Sequence, residues 1–192
     1  MSDLATVLYP EAEIRRRVAE LGRDITVDYA SRPPVLVSIL KGGFVFLADL
    51  IREVDLALRV DFMSISSYGG GSDASGVVRI LKDLDHDIGG EHVLVVEDII
   101  DTGLTLSYLL STLAARGAAS VGVCTLLDKR ARRIAPLDIG YRGFDCPDRF
   151  VVGYGLDYQE RYRNLPFILA LENHSGFMED PAALERFLVA PA

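Results

Sequence analysis

The run Glu97-Asp98-Ile99-Ile100-Asp101-Thr102-Gly103-Leu104-Thr105 holds the densest set of reactive groups in the chain: three carboxylates, two hydroxyls and a glycine turn within nine residues. Carboxylates accept hydrogen bonds from sugar hydroxyls, exchange protons or bind a hard cation. A glycine turn that leads into a helix offers unpaired N–H groups to an anion. Acids beside an anion site repel the anion unless they act on something else, so the combination points to a sugar phosphate held with magnesium. Asp and Thr also cap helices for purely structural reasons, and Asp101-Thr102-Gly103 alone would say little. Glu97 and Asp98 sharpen it. In an extended chain adjacent side chains point to opposite sides, and burying both acids without partners costs several kcal/mol.

These groups need a frame. Val93-Leu94-Val95-Val96 reads as a strand buried on both faces of a parallel sheet, with the acids at its carboxyl end, where open α/β sheets bind ligands. A helix over 104–116, stopped by Gly117, follows it. Upstream, Pro10 opens a helix whose apolar residues Ile14, Val18, Leu21 and Ile25 share one face, and it should pack on a sheet. Val35 to Leu40 is a second buried strand, followed by the turn Lys41-Gly42-Gly43 and a helix carrying Phe44, Phe46, Leu47, Leu50 and Ile51. Residues 56–67 form a long strand and 77–81 its antiparallel partner, joined by a mobile loop rich in Gly and Ser. Further strands fall at 121–127, 150–154 and 167–170, and a short helix at 180–188. Strands alternating with helices predict an α/β fold with a central, mostly parallel sheet flanked by helices.

Composition excludes several classes. The 192 residues, 49% hydrophobic, suit one domain, and a net charge of −8 argues against a general nucleic-acid binder, which must neutralise many phosphates. Met1-Ser2-Asp3-Leu4 does not open a leader, and no stretch approaches the roughly 18 apolar residues of a membrane span, so a soluble, cytoplasmic protein is expected. Cys124 and Cys146 make no disulfide framework, and His86, His92 and His174 lack zinc-ligand spacing. Neither a Gly-Lys-Ser/Thr phosphate loop nor a Gly-x-Gly-x-x-Gly fingerprint follows the first strands.

Within this frame, Glu97-Asp98-Ile99-Ile100-Asp101-Thr102-Gly103 resembles the phosphoribosyl-pyrophosphate loop of type I phosphoribosyltransferases, in the bacterial form of their hypoxanthine-guanine branch. The likeness continues through Leu40-Lys41-Gly42-Gly43, Ser66-Ser67-Tyr68-Gly69, Asp128-Lys129-Arg130, the block from Phe150 through Asp157 to Tyr158, and Glu160-Arg161-Tyr162-Arg163. It implies the phosphoribosyltransferase fold as a single domain over 1–192, with a core at about 35–150, a small hood from about 1–30 and 150–192, and a flexible hairpin lid at 67–78. It further implies purine salvage: the 5-phosphoribosyl group passes from 5-phosphoribosyl 1-pyrophosphate to N9 of hypoxanthine or guanine, with Mg2+ as cofactor, in a homodimer or homotetramer.

The resemblance also implies roles. Glu97 and Asp98 hold the ribose 2′- and 3′-hydroxyls directly or through magnesium, Ile99 and Ile100 complete the loop, and Thr102, Gly103, Leu104 and Thr105 cradle the 5′-phosphate. Asp101 exchanges a proton with purine N7. Lys41, Gly42, Gly43 and Arg163 bind pyrophosphate, with the peptide before Lys41 open to either isomer, while Ser67 and Tyr68 belong to a lid that excludes water. Lys129 donates to the purine 6-oxo group, Phe150 stacks on the base, Val151 offers backbone groups, and Asp157 supplies a carbonyl to the base and a carboxylate to the metal beside Glu97 and Asp98. Leu104 stands where the vertebrate loop has lysine; a neutral residue is usual in bacterial relatives, and the compact N-terminus fits them too.

Each residue also has a plainer reading. Asp101 could cap a helix, Lys41 could be solvated beside a turn, and Phe150 could be core at a strand head. Arg163 could pair with Glu160 or Asp157, and Arg130 and Arg132 could form a solvated run or balance nearby acids. Three rivals for the whole chain follow: a relative acting on xanthine or a pyrimidine, a nucleic-acid-binding regulator of the same fold, and a doubly wound protein with an unrelated ligand. The regulator would need a basic face or an added domain, and this acidic chain shows neither.

Overall fold

Two rows of apolar side chains on opposite faces of the same strands account for the main sheet. The computed structural model describes residues 5–67 and 78–172, with Leu184 and Phe187. Its elements are β1 (Ala5–Tyr9), α1 (Glu11–Asp28), β2 (Val35–Leu40), α2 (Phe44–Glu53), β3 (Arg59–Ser67), β4 (Val78–Lys82), β5 (His92–Ile100), α3 (Leu104–Ala115), β6 (Ser120–Asp128), a 3-10 turn (Arg130–Arg132), β7 (Tyr141–Asp145), β8 (Phe150–Val152) and β9 (Ile168–Leu171). Leu36, Leu94, Val96, Cys124 and Leu126 face α1 and α2, which bury Ile14, Val18, Leu21, Ile25, Phe46, Leu47 and Leu50 against them. Val35, Val37, Ile39, Val93, Val95 and Val123 face the other way, onto Leu106, Leu109 and Leu113 of α3. This period-two division over strands buried on both sides is what a parallel sheet between helix layers requires.

The strand order is β4-β3-β2-β5-β6-β7, parallel throughout except for β4, which runs antiparallel to β3. The chain therefore leaves β2 toward one edge through β3 and resumes on its other side at β5. A crevice opens at such a reversal, outside the carboxyl ends of the two central strands. A second, antiparallel sheet, β1-β9-β8, joins the two ends of the chain around Val152, Tyr158, Tyr162, Leu165 and Leu169.

This small sheet draws on the N-terminal part of the chain through one strand alone. Of residues 5–30 only β1 enters it; α1 lies on the main sheet, because its buried face is continuous with α2 and β2. The edge strands β1 and β7 were not legible in the sequence pattern, and β3 begins at Arg59 rather than at residue 56. The strand expected at 150–154 stops at Val152, where Gly153 and Tyr154 take positive φ. Ser67 ends β3, whereas Tyr68, most of the expected lid and, apart from Leu184 and Phe187, the helix expected at 180–188 lie outside the described residues. No described helix is long and apolar enough to cross a membrane.

Candidate active site

The pairing of β2 with β5 ends at Ser38 and Val96, so the last residues of β5, from Glu97 onward, border the crevice. Strand alternation then separates the two acids. Glu97 lines a cavity of about 280 Å³ with Ile39, Ile65, Ile100, Thr102, Gly103, Thr105 and Leu106. Asp98 lines a neighbouring cavity of about 360 Å³ with Lys41, Gly42, Lys129, Phe150, Val151, Leu156, Asp157 and Arg163. Ile99 and Asp101 line both, so the two cavities meet at the predicted proton-exchanging group.

The first cavity lies at the start of α3. Gly103 precedes α3 in the left-handed conformation, φ 79°, and no side chain caps the helix. The Leu104 N–H reaches only the Thr102 Oγ1, at 3.5 Å, and the first bond into the helix runs from Ser107 N–H to the Gly103 carbonyl. Gly103, Thr105 and Leu106 at this helix start line the cavity, an arrangement that suits an anion. Because Gly103 is the N-cap, the plain reading of Asp101 as a helix cap falls away. Leu104 is exposed and adds no charge here.

In the second cavity the plain readings divide. Phe150 is 39% exposed at the head of β8, so it is not core; its ring meets Tyr158 edge-on, with centroids 5.9 Å apart, and it lines the cavity. Lys129 is buried, and its ammonium makes no hydrogen bond or ion pair among the described residues. Its N–H is fixed to the Ile100 carbonyl at 2.9 Å. Lys41 pairs with Glu160 at 2.7 Å, and Arg163 donates to the Gly155 carbonyl while pairing with Asp157 at 2.8 Å and Glu160 at 3.4 Å. The two cations expected to hold pyrophosphate are therefore each paired with an acid. The Leu40–Lys41 peptide is cis.

Of the basic cluster, only Lys129 lines either cavity, and the arginines balance acids. Arg133 and Arg142 flank the buried Asp128, Arg142 Nε lying 2.8 Å from its Oδ2, and Arg132 Nε lies 3.3 Å from Asp101 Oδ1. Leu156, Ile39 and Ile65 complete the cavity walls and carried no sequence signal beyond apolarity.

Burial sets the proton affinity of the acid pair. It pushes Glu97 well above the ordinary carboxylate range, helped by the neighbouring Asp98 charge. Burial raises Asp98 to about 6, opposed by the N–H of Ile99 and by Arg163. The ionised forms are thus disfavoured in the folded protein, so the pair's contribution to stability is full below about pH 4 and is lost as pH rises through the folded values. Asp98→Asn is expected to stabilise the ligand-free protein at pH 7.5 by on the order of 1–3 kcal/mol, with Glu97→Gln acting in the same direction and neither gaining at pH 4. Thermal melts at the two pH values check this; a loss of stability at pH 7.5 would contradict it.

Hard oxygen donors at this end of the sheet suit a divalent cation, because a cation relieves the same burial cost that a proton relieves. Among the described residues, however, no three His, Cys, Asp or Glu side chains converge to make a complete metal cage. Glu97, Asp98 and Asp157 are thus not a closed set. That arrangement fits magnesium, which commonly uses one or two carboxylates together with substrate oxygens.

Comparison with known proteins agrees with this geometry. Residues 6–159 match the family model described as phosphoribosyl transferase domain. The chain is 49% identical over 170 residues to a hypoxanthine-guanine phosphoribosyltransferase of Bacillus subtilis, covering 88% of this chain and 94% of that protein. It is 52% identical to a hypoxanthine phosphoribosyltransferase of Escherichia coli, covering 88% and 96%. A crystal structure of a hypoxanthine phosphoribosyltransferase from Staphylococcus aureus superposes with a TM-score of 0.85 at 48% identity, covering 88% of this chain and 92% of the other. With a family match over residues 6–159 and relatives about half identical over most of its length, the chain belongs to the phosphoribosyltransferase family.

Proposed function

We propose that this chain is a purine-salvage enzyme that transfers the 5-phosphoribosyl group from 5-phosphoribosyl 1-pyrophosphate to N9 of hypoxanthine or guanine, releasing IMP or GMP and pyrophosphate. The observation that carries the reading is the meeting of an anion cavity and an aromatic, lysine-bearing cavity at Asp101. A phosphorylated ribose spans such a junction: its 5′-phosphate sits at the uncapped turn of α3, its hydroxyls face Glu97 and Asp98, and C1 lies near Asp101. The base stacks on Phe150 with its 6-oxo oxygen accepting from Lys129, while Lys41 and Arg163 exchange their acid partners for pyrophosphate.

In the reaction the bond from C1 to the pyrophosphate oxygen breaks and the bond from C1 to N9 forms. Positive charge builds on the ribose, whose hydroxyls face Glu97 and Asp98, and Asp101 exchanges the base proton at N7. Asp98 and Asp157, which line one cavity, would hold a magnesium ion together with oxygens of the donor, and that ion would neutralise charge on the leaving group. The base specificity follows from Lys129, since a 6-amino group would set donor against donor.

The test is pyrophosphate release with a panel of bases at fixed donor and magnesium. Hypoxanthine and guanine are expected to support turnover, adenine and pyrimidines not, and xanthine ranks the remaining preference; no release with any base overturns the reading. Lys129→Gln is expected to lower kcat/KM for hypoxanthine by about 10²-fold with little change in donor KM. Two free, buried cysteines suit a reducing compartment such as the cytoplasm. Family resemblance supports a homodimer or homotetramer, which light scattering reads directly.

A further inference from the structure

We infer that Arg132 is a positioning residue for Asp101: its guanidinium holds one carboxylate oxygen and leaves the other to exchange a proton with the bound base. The inference rests on the reading of Asp101 given above.

Arg132 ends the 3-10 turn that follows Lys129, its N–H bonded to the Lys129 carbonyl at 3.0 Å. Its Nε lies 3.3 Å from Asp101 Oδ1, and its Nη1 lies 3.8 Å from Asp148 Oδ1. The guanidinium is thus set between two carboxylates, one in the site and one outside the two cavities. Asp101 Oδ1 is buried yet makes no hydrogen bond among the described residues, so Arg132 holds it by charge rather than by an aligned N–H. That leaves Oδ2 for the ligand.

The backbone keeps this pair in register. Lys129 N–H donates to the carbonyl of Ile100, immediately before Asp101. The N–H groups of Ile134 and Ala135 donate to the carbonyl of Thr102, immediately after it, at 2.9 and 3.1 Å. Both neighbours of Asp101 are therefore tied to the segment that carries Arg132, so the backbone of that segment is held alongside the acid. The pair itself is half-exposed, at 51% and 40%. An ion pair at that exposure adds little to stability, so what it supplies is the orientation of a carboxylate that must meet N7 within hydrogen-bond reach. Arg133, next in sequence, contrasts with it: that side chain is largely buried against Asp128 and belongs to the fold.

A double-mutant cycle tests the inference. Arg132→Met is expected to lower kcat about tenfold, with the KM values for donor and base within about twofold and an unchanged melting temperature. Arg132→Lys, which keeps the charge, is expected to recover part of the loss. In an Asp101→Asn background the same Arg132→Met change is expected to cost less than about twofold, because the group it positions is already gone. An undiminished kcat in Arg132→Met, an equal loss in both backgrounds, or a rise in donor KM alone would overturn the positioning role. Full activity of Asp101→Asn by itself would instead remove the reading of Asp101, so the two failures are distinguishable.

Discussion

Asp101→Asn is expected to lower kcat by about 10²–10⁴-fold while donor KM changes by no more than a few fold, the range associated with loss of a positioned acid or base. The substitution is nearly isosteric and leaves the surrounding hydrogen bonds in place, since Asp101 Oδ1 makes none and the amides on either side are held through backbone groups. It does not uncap α3 either, because Gly103 occupies the N-cap. The loss therefore falls on chemistry rather than on folding. Steady-state kinetics with hypoxanthine checks this, and wild-type turnover would retire Asp101 as the proton-exchanging group.

Gly42→Ala is expected to raise donor KM by at least about tenfold, lower kcat and cost about 1–3 kcal/mol of stability. A Cβ at Gly42 would stand 1.7 Å from Asp98 Oδ2, and a Cβ at Gly155, where φ is +97°, would stand 2.3 Å from the Gly42 carbonyl oxygen. The loop after β2, the end of β5 and the 153–163 segment thus meet through two residues without side chains. An added methyl must displace either the Asp98 carboxylate or the Lys41 loop, and both face the donor. Kinetics together with thermal melting separates the two costs; unaltered donor KM would show that the loop yields freely and that the close approach has no bearing on binding.

Much of this site was legible in the residues. The acids at the end of an apolar run, the glycine turn and the start of α3 at Leu104 are local features, governed by strand period and helix-end chemistry. The assignment of Glu97 and Asp98 to opposite sides needed only alternation, and they do line different cavities. Other features were not legible, for physical reasons. The edge strand β7 is only partly buried along its length and is held by distant partners: Arg17 donates to its Arg142 and Gly143 carbonyls, and Tyr9 stacks on Phe144 at 4.2 Å. Nothing within Tyr141–Asp145 signals that. Phe150 at a strand head reads as core by pattern, and its exposure depends on where β8 sits beside Tyr158.

By itself the sequence determined the chemistry available: an acid run on a buried strand, a turn open to an anion, and separate blocks whose order resembles one family. Only the tertiary structure decided which of these meet. The strand order leaves β2 and β5 adjacent at the point where the chain reverses, so the Lys41 loop, the β5 acids and the end of β6 share one crevice. The approach of Gly42 to Asp98, and of Arg132 to Asp101, then sets the geometry there. Those contacts join segments far apart in the chain, and they form because burying the two faces of the sheet brings the strand ends together; no local pattern encodes the distance.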